Sequence, residues 1–307
     1  MTDRIEVCND GFDKVVPNFI YNRCDLMQDG EAYLLKYIPK DLYIPLKIKK
    51  NEGVLCVWGM QLAYQEIKDV IDYVMGKFRK IDRITVMRVC ADKSYPDKYI
   101  KNDFQIILPD SIEELDLRLS KKGRYNIKRE KRIVENDFGG CQFVHIKSDD
   151  EDADTITQKF FELKKKNMGS DYGMTAKAYL KNWYVTDIYY LLFGEKIASV
   201  LMSCEQCENV YLENITYDDE LANYSPGQIA YDFYLKELIQ DGKKSVFLLG
   251  GNYDYKKRYG SIENNVAEYS VLRKSMKSYA KVYGKQMLIK AFNMMPQSIK
   301  SIYLSRK

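Results

Sequence analysis

Two segments in the second half of the sequence combine residue types and spacings that suit binding of an anion. The first, Tyr224-Ser225-Pro226-Gly227-Gln228, separates a strand-like run from a long segment with helical apolar period. This order predicts a helix start with Ser225 as N-cap, Pro226 at the first helical position and Gln228 completing a capping box. Capping does not require Gly227, and glycine in a helix costs up to about 1 kcal/mol against alanine. A glycine there does let an anion approach the free backbone N–H groups, where the helix dipole favours negative charge.

The second segment, residues 248–260, places two glycines at the end of a predicted strand, followed by tyrosines, one acid and three cations. In sheets with helix crossovers, ligands bind at the carboxyl ends of the strands. Packing of an aromatic helix turn on the sheet would explain the tyrosines but not Gly250-Gly251. The candidate substrate-binding residues are Asn252, Lys256 and Arg258, together with Arg124 from an upstream basic segment.

Imidazole and thiol chemistry find little support in the sequence. His145 is the single histidine of the chain, which removes most zinc sites, and its Phe-Val-His-Ile setting predicts a satisfied core histidine. Cys204 and Cys207 form the one C-x-x-C pair, without a second pair or a redox context, and we interpret them as strand-end thiols. No metal site is predicted. The odd number of cysteines, 7, in apolar runs favours a reducing compartment.

Length and composition indicate an ordinary globular protein of about two domains. The 307 residues are 46% hydrophobic and 30% charged, which excludes disordered and collagen-like classes. The longest apolar run, residues 54–60, is too short to cross a bilayer, and the first residues lack a signal-peptide pattern. We therefore expect a cytoplasmic protein.

The order of periodic segments predicts an α+β fold with a mixed sheet. Strands over 187–193, 196–204 and 209–217, with hairpin signals at Gly194-Glu195 and Glu205-Gln206, predict an antiparallel meander. A helix over 226–240 then leads to a strand over 245–249, which predicts a parallel, helix-linked pair. Upstream, Ser111 and Glu114 predict the start of a helix that continues in pieces to about Glu135.

Positive charge concentrates in two places. Residues 118–132 hold eight cations and one acid, and the chain after Glu268 holds nine cations and no acid. Because the net charge of the whole chain is +4, residues 1–268 have a net charge of −5. Such segments suit an anionic partner, and equally a solvated helix face. We divide the chain into an N-terminal domain (1–147), a second domain (148–275) and a basic helical tail (276–307).

At these residues the sequence resembles the cellulose-biosynthesis-type acetyltransferases of the GNAT superfamily. The resemblance rests on 214–227, with its Tyr-Ser-Pro-Gly, followed by Leu249-Gly250-Gly251 and Tyr255-Lys256, and a fainter match lies over 108–129. It implies a full GNAT domain in the C-terminal half and a partial or divergent GNAT-like domain before it. Related FemABX-type proteins share the duplicated fold but take aminoacyl groups from tRNA. The chain departs from the wider superfamily's Gln/Arg-x-x-Gly-x-Gly/Ala loop in having Ser-Pro-Gly.

The resemblance implies an acyl-coenzyme A (CoA) site. The CoA pyrophosphate would lie on the amides of Gly227, Gln228 and neighbours such as Ser225, and the pantetheine would add along the strand that holds Asn214 and Ile215. The candidate bases are Glu213, beside the thioester, and Asp254. Tyr255 or Tyr217 would protonate the leaving thiolate.

The function we expect is acyl-CoA-dependent N-acylation of a nucleotide-linked, dTDP-type amino sugar for surface polysaccharides such as lipopolysaccharide or capsule. The 26 tyrosines and the run Lys256-Lys257-Arg258 suit a stacked, phosphate-bearing acceptor, although base composition of the genome explains the enrichment equally well. Two alternatives stay open: a FemABX-like tRNA-dependent aminoacyl transferase, and a non-catalytic interaction module with this fold. A nucleic-acid partner is expected only on the first alternative.

Overall fold

The computed structural model describes residues 4–8, 30–57, 59–169, 172–182, 185–206, 208–251 and 253–273. They separate into two compact units. The first holds 4–8, 30–99 and 267–273, and the second holds 100–266. Over this part of the chain, every helix is too short or too polar to cross a bilayer. The predicted basic tail, 276–307, lies outside the described residues.

The first unit is a sheet with one amphipathic helix among its described residues. The strand order is β1-β2-β3-β4-β5, antiparallel except for the parallel pair β4–β5, which helix α1 connects. The helix buries Ile67, Val70, Ile71 and Val74 at the 3–4-residue spacing of one helical face. The elements are β1 (Ile5–Cys8), β2 (Glu31–Tyr37), β3 (Leu42–Lys49), β4 (Glu52–Leu55), α1 (Tyr64–Lys77) and β5 (Arg83–Cys90).

The second unit carries the segments that the sequence singled out. Its strand order is β6-β11-β10-β9-β8-β7, antiparallel except for the parallel pair β10–β11. The elements are β6 (Ile100–Ile107), α2 (Ile112–Arg118), α3 (Lys121–Phe138), β7 (Cys141–Lys147), α4 (Ala153–Met168), α5 (Ala176–Asn182), β8 (Asp187–Phe193), β9 (Lys196–Gln206), β10 (Asn209–Tyr217), a 3-10 helix (Asp219–Tyr224), α6 (Pro226–Gln240), β11 (Ser245–Gly250), α7 (Asp254–Lys257) and the first part of β12 (Ile262–Leu272).

Alternating side chains of this sheet enter two separate cores. Ile188, Val200 and Met202 pack against α4 and α5 on one face. Their neighbours in sequence, Tyr189 and Leu201, pack on the opposite face in a core that includes α6 and buried residues of α2 and α3. Because strands buried on both faces lack polar alternation, they appear in the sequence as near-continuous apolar runs.

The mixed α/β fold agrees with the sequence prediction, including the meander β8-β9-β10 and the helix crossover to β11. Gly194, with φ of 57°, begins the first hairpin turn. Ser111 caps α2 by accepting a hydrogen bond from the N–H of Glu114 at 3.2 Å. The predicted domain boundary at 147/148 falls inside the second unit, because β7 pairs with β8 along its whole length.

His145 departs from the predicted core histidine. Its side chain is 23% exposed, and its Nε2 lies 2.7 Å from the buried Asp187 carboxylate while Nδ1 lies 3.2 Å from Glu237. Its ring stacks on Tyr189 at 4.1 Å. Although partial burial opposes the charge, the two carboxylates dominate and raise the pKa of His145 to about 9. At neutral pH this residue is therefore a histidinium ion paired on both sides.

Of the C-x-x-C pair, Cys204 lies among the described residues and Cys207 lies outside them. Cys204 is buried on β9. Burial raises the pKa of its thiol to about 12, which leaves it protonated and unreactive at neutral pH.

We predict that replacing His145 with Gln changes how stability depends on pH. The pKa of His145 in the folded protein, about 9, exceeds the ordinary 6.5. The contribution of the histidinium to the unfolding free energy is therefore complete below pH 6.5 and is lost as pH rises through 9. The wild-type advantage in unfolding free energy should fall by at most about 3 kcal/mol between pH 6 and pH 10. Urea unfolding across this range measures it, and a difference independent of pH would contradict the assignment.

Candidate active site

The strands β10 and β11 begin as a parallel pair and then part. Their ladder runs only from Asn209↔Ser245 to Tyr211↔Phe247. Just beyond it, β10 has a bulge between Leu212 and Asn214, so that Glu213 is the extra residue opposite β9. The edge of β10 beyond Tyr211 is therefore not paired with β11.

A cleft of about 760 Å³ opens where the two strands part. Its size is within the range of small-molecule sites. One wall is β10, the other is the end of β11 with α7, and the start of α6 and the last turns of α4 close its ends. The lining residues are Lys164, Asn167, Met168, 212–217, Asp219, Ala222, 225–228, 248–250, Tyr253, Tyr255, Lys256 and Arg258.

The start of α6 differs from the predicted N-cap. Ser225 has left-handed backbone angles, φ 52° and ψ 46°, and its side chain makes no capping hydrogen bond to the helix. Its hydroxyl instead lies near the Glu130 carboxylate of α3, whose pKa it lowers. The predicted capping box is therefore wrong, since Gln228 accepts a hydrogen bond from Arg258 with its side chain.

The backbone at this helix start presents one amide in particular. Pro226 has no N–H, and the N–H of Gln228 donates to the carbonyl of Ser225 at 2.9 Å. Gly227, between them, has no carbonyl acceptor within the helix. A Cβ at Gly227 would lie 3.2 Å from the Tyr217 ring, closer than ordinary packing allows. Glycine at this position thus keeps open the space between the helix start and the last residue of β10.

Glu130 is a buried acid next to this helix start that the sequence did not single out. It is 9% exposed, and burial raises the pKa of its carboxyl group, opposed by the Ser225 hydroxyl and by Arg129 and Arg258. The sequence showed it only as the single acid in a basic stretch. Its role depends on the packing of α3 near the start of α6, which no local pattern indicates.

The strand-end cluster contains one buried cation and one required glycine. Lys256 is 2% exposed, and its ammonium donates to the carbonyls of Leu248 at 2.5 Å, Leu249 at 3.1 Å and Gly250 at 2.5 Å. It holds the end of β11 rather than presenting its charge to solvent, which argues against the substrate-binding role given to it from sequence. Gly251 has φ of 96°, and a Cβ there would meet the Tyr253 ring at 2.7 Å.

The remaining predicted residues divide into those on the cleft and those away from it. Glu213, Asn214, Ile215, Tyr217, Tyr255 and Arg258 all line it. Asn214 donates to the Tyr179 hydroxyl at 2.9 Å. Burial and Tyr253 raise the pKa of Tyr255 to about 12, which keeps its phenol protonated. Asp254 and Arg124 are not among the lining residues, and Asn252 lies outside the described part of the chain.

Arg124 has a structural position on α3. Its guanidinium donates to the carbonyls of Asp116 at 3.1 Å and Leu119 at 2.7 Å, the end of the preceding helix α2. The Leu119 carbonyl thereby gains a donor, and the Asp116 carbonyl gains a second donor beside the N–H of Leu119. The predicted substrate contact from Arg124 thus finds no support in its geometry.

Comparison with known proteins agrees with this geometry. Residues 121–257 match the family model of the acetyltransferase (GNAT) domain. The fold is GNAT-like. The matched segment runs from α3 to α7 and contains all the cleft-lining residues except Arg258. No curated protein matches the chain.

Three solved structures share the fold over most of both chains. FemX aligns with a TM-score of 0.60 and 8% identity over 90% of this chain and 99% of its own. A conserved protein of unknown function from Bacteroides thetaiotaomicron aligns with a TM-score of 0.52 and 11% identity over 88% of this chain and 100% of its own. The C-terminal domain of a putative lysylphosphatidylglycerol synthetase from Agrobacterium fabrum aligns with a TM-score of 0.51 and 8% identity over 84% of this chain and 89% of its own. At these identities the likeness concerns the fold alone.

We predict that Lys256→Met destabilises the second unit while Lys257→Met does not. The first change removes the donor of three carbonyls at a buried site and should cost about 2–4 kcal/mol of unfolding free energy. Lys257 is exposed, so its replacement should stay within about 0.5 kcal/mol. Equal effects of the two substitutions in urea unfolding would contradict the structural role of Lys256.

Proposed function

We propose that this protein is an acyl-CoA-dependent N-acyltransferase whose acceptor is the amine of a nucleotide-linked, dTDP-type amino sugar, used for surface polysaccharide synthesis. The observation that carries the proposal is the cleft between the parted strands, with the start of α6 at one end. An acetyltransferase domain match over the same residues supports acyl transfer. The cellulose-biosynthesis-type resemblance is part of this proposal.

The chain's own residues fit the coenzyme. CoA brings a pyrophosphate and a pantetheine arm with two amide groups, and as a thioester it supplies an activated acyl group. The amide of Gly227 and the helix dipole of α6 would hold the pyrophosphate, because a side chain at that position would fill the space in front of Tyr217. The part of β10 beyond its ladder with β11 would bond the pantetheine amides as a strand would.

Positioning supplies most of the rate in this proposal. Holding amine and thioester together contributes about 7–11 kcal/mol, against about 3–5 kcal/mol for a single general acid or base. In this proposal Glu213, which lines the cleft at the bulge, would contact the reacting groups, and the phenol of Tyr255 would donate a proton to the leaving thiolate. Asp254 is a weaker candidate because it is exposed and lies off the cleft.

The acceptor side of the cleft supports a stacked, anionic substrate. Tyr253 is 57% exposed on the cleft and stacks beside Tyr255 at 6.1 Å. Arg258 lies at the rim, where it donates to Gln228. An aromatic face and a guanidinium suit a nucleotide-linked sugar.

Incubation with a panel of acyl-CoAs and dTDP-amino sugars tests the function directly. We expect free thiol to be released only when both substrates are present, with one N-acylated sugar formed per thiol. Release with no member of the panel would contradict the assignment.

Coenzyme binding is tested by Gly227→Glu. A ligand at about 100 times its dissociation constant stabilises a protein by about 2.7 kcal/mol, which appears as a thermal shift. We expect CoA to shift the wild type and not the Gly227→Glu variant, since the new carboxylate would occupy the anion site. Gly76→Glu, at a helical glycine whose Cβ would meet nothing within 4 Å, is the matched control and should shift as the wild type does. A wild type that does not respond to CoA contradicts the acyl-CoA dependence and leaves the tRNA-dependent and the non-catalytic alternatives.

A tRNA-dependent aminoacyl transfer remains the second candidate because of one surface. On α3, the exposed residues Lys121, Tyr125, Lys128 and Arg132 follow one another at 3–4-residue spacing and form a basic stripe with an aromatic ring that is 63% exposed. Cations interleaved with an aromatic residue suit a nucleic-acid backbone.

This second candidate predicts tRNA binding with strong salt dependence. Replacing Lys121, Lys128 and Arg132 together by Ala should lower the magnitude of the slope of log K against log salt by about 2–3, one phosphate contact each. Nitrocellulose filter binding at several salt concentrations measures the slope. An unchanged slope, or no binding by the wild type, would remove the alternative.

A further inference from the structure

The last turns of α4 bring a lysine to the cleft that the function described above does not use. Lys164, Asn167 and Met168 lie on one face of this helix and line the cleft together with residues of β10. Asn167 ties the helix to the strand, since its Nδ2 donates to the Tyr217 carbonyl at 2.6 Å. The end of the cleft that α4 forms is therefore fixed to β10 by a direct hydrogen bond.

The surroundings of the Lys164 ammonium are apolar. Its Nζ lies 3.8 Å from the sulfur of Met168 and 5.8 Å from the centre of the Phe160 ring. No carboxylate of the described residues lies within 4.0 Å of it. Partial burial without a counter-ion lowers the pKa of Lys164, as expected for a desolvated ammonium.

Another lysine on the same helix shows what a counter-ion changes. Lys166 points to Asp218 and Glu220, with its Nζ 2.6 Å from Glu220, and these acids raise its pKa. The charged and titratable groups that share the cleft with Lys164 are Glu213, Tyr217, Asp219, Tyr253, Tyr255, Lys256 and Arg258, and α5 adds Tyr179 against Phe160. Of the two carboxylates among these groups, Glu213 lies on β10, the strand against which α4 packs, and Asp219 lies in the 3-10 helix.

We propose that Lys164 is the base that removes a proton from the ammonium group of the acceptor before acyl transfer. This inference rests on the proposed function. The neutral amine of Lys164 takes one proton from the acceptor, whose nitrogen then forms the C–N bond to the acyl carbon as the C–S bond breaks. The Tyr255 phenol donates its proton to the leaving thiolate and takes up the nitrogen's second proton. Lys164 releases the first proton to solvent, so one thiol and one proton are produced per amide.

The chemistry of the acceptor favours an amine as this base. An ordinary carboxylate, with a pKa near 4.3, is a much weaker base than an amino-sugar amine, whose ammonium form has a pKa several units higher. A desolvated lysine matches the acceptor far more closely, and proton transfer is most effective between matched groups. Glu213, which lines the same cleft, remains available to orient the acceptor by a hydrogen bond.

Asn167 adds a positioning contact at the end of the cleft that α4 forms. Its Nδ2 is engaged with Tyr217, while its buried Oδ1 has no hydrogen-bond partner among the described residues. That oxygen would accept the N–H of the incoming amine. The acceptor nitrogen would then be held between Asn167 and Lys164, three residues apart on one helix.

The kinetic test compares Lys164→Met with Lys164→Arg. If Lys164 is a base, the Met variant should lose about 10²- to 10⁴-fold in kcat/KM and lose the rise in rate that follows deprotonation of Lys164 in the wild type. The Arg variant should be equally impaired, because arginine stays protonated. Lys159→Met, on the same helix at an exposed ion pair with Glu162, is the control and should act as the wild type does. An Arg variant within threefold of the wild type would overturn the base and favour an anion-binding lysine.

A titration that needs no turnover gives the second readout. In protein labelled with ¹³C at lysine Cε, the resonance missing from the Lys164→Met spectrum belongs to Lys164, and it should titrate at lower pH than the exposed lysines. If the Lys164 resonance titrates at the same pH as the exposed lysines, the proposal is overturned even where the protein catalyses acyl transfer. Failure of the wild type to bind CoA overturns the proposed function and the base together, so the two failures are distinguishable.

Discussion

The cleft depends on the hydrogen bonds that satisfy the carbonyls of β11 where this strand separates from β10. Beyond Phe247, β11 parts from β10, and a strand that does so loses the hydrogen bonds of one edge. Lys256 supplies donors to three successive carbonyls at that point, while β6 still pairs with Leu249 and Gly250 on the other side. A buried ammonium thus takes the place of the missing strand edge.

Backbone geometry on both walls follows from the same parting. On β10, the extra residue Glu213 shifts the register against β9. On β11, the register against β6 shifts between Phe247 and Leu249, and Leu249 has φ of 59°, a region that costs a non-glycine residue about 1 kcal/mol or more. Strain of this kind persists only where the surroundings hold it, and the Lys256 contacts provide that hold.

Sequence periodicity was sufficient for the elements and insufficient for the contacts between them. The meander, the Gly194-Glu195 turn and the crossover helix α6 follow from apolar period and turn chemistry, which are local. Ser225 was misassigned because its backbone is left-handed and its side chain makes no capping bond to the helix. Its hydroxyl lies near Glu130, 95 positions earlier in the chain, which no local capping rule includes. Lys256 looks like one of three consecutive cations, and burial alone separates it from Lys257.

The same reasoning applies to Lys164, which the sequence presents as the first of three lysines in a row. Helical geometry separates such neighbours by about 100°, so Lys164 lies on the cleft while Lys166 lies beside acids of the 3-10 helix. The assignment of Lys164 therefore needed the packing of α4 on β10. Asn167 was missed for the same reason.

The two halves of the cleft depend on the sequence in different ways. The half proposed for the acyl donor is built largely from backbone: the part of β10 beyond its ladder with β11, a helix start and one glycine. Backbone arrangements persist through extensive substitution, which is consistent with structures of 8% identity that retain this fold. The half proposed for the acceptor is built from side chains of α4 and α7, such as Lys164, Asn167 and Tyr253. Because such side chains vary freely on a common fold, the acceptor has to be inferred from this chain's own chemistry.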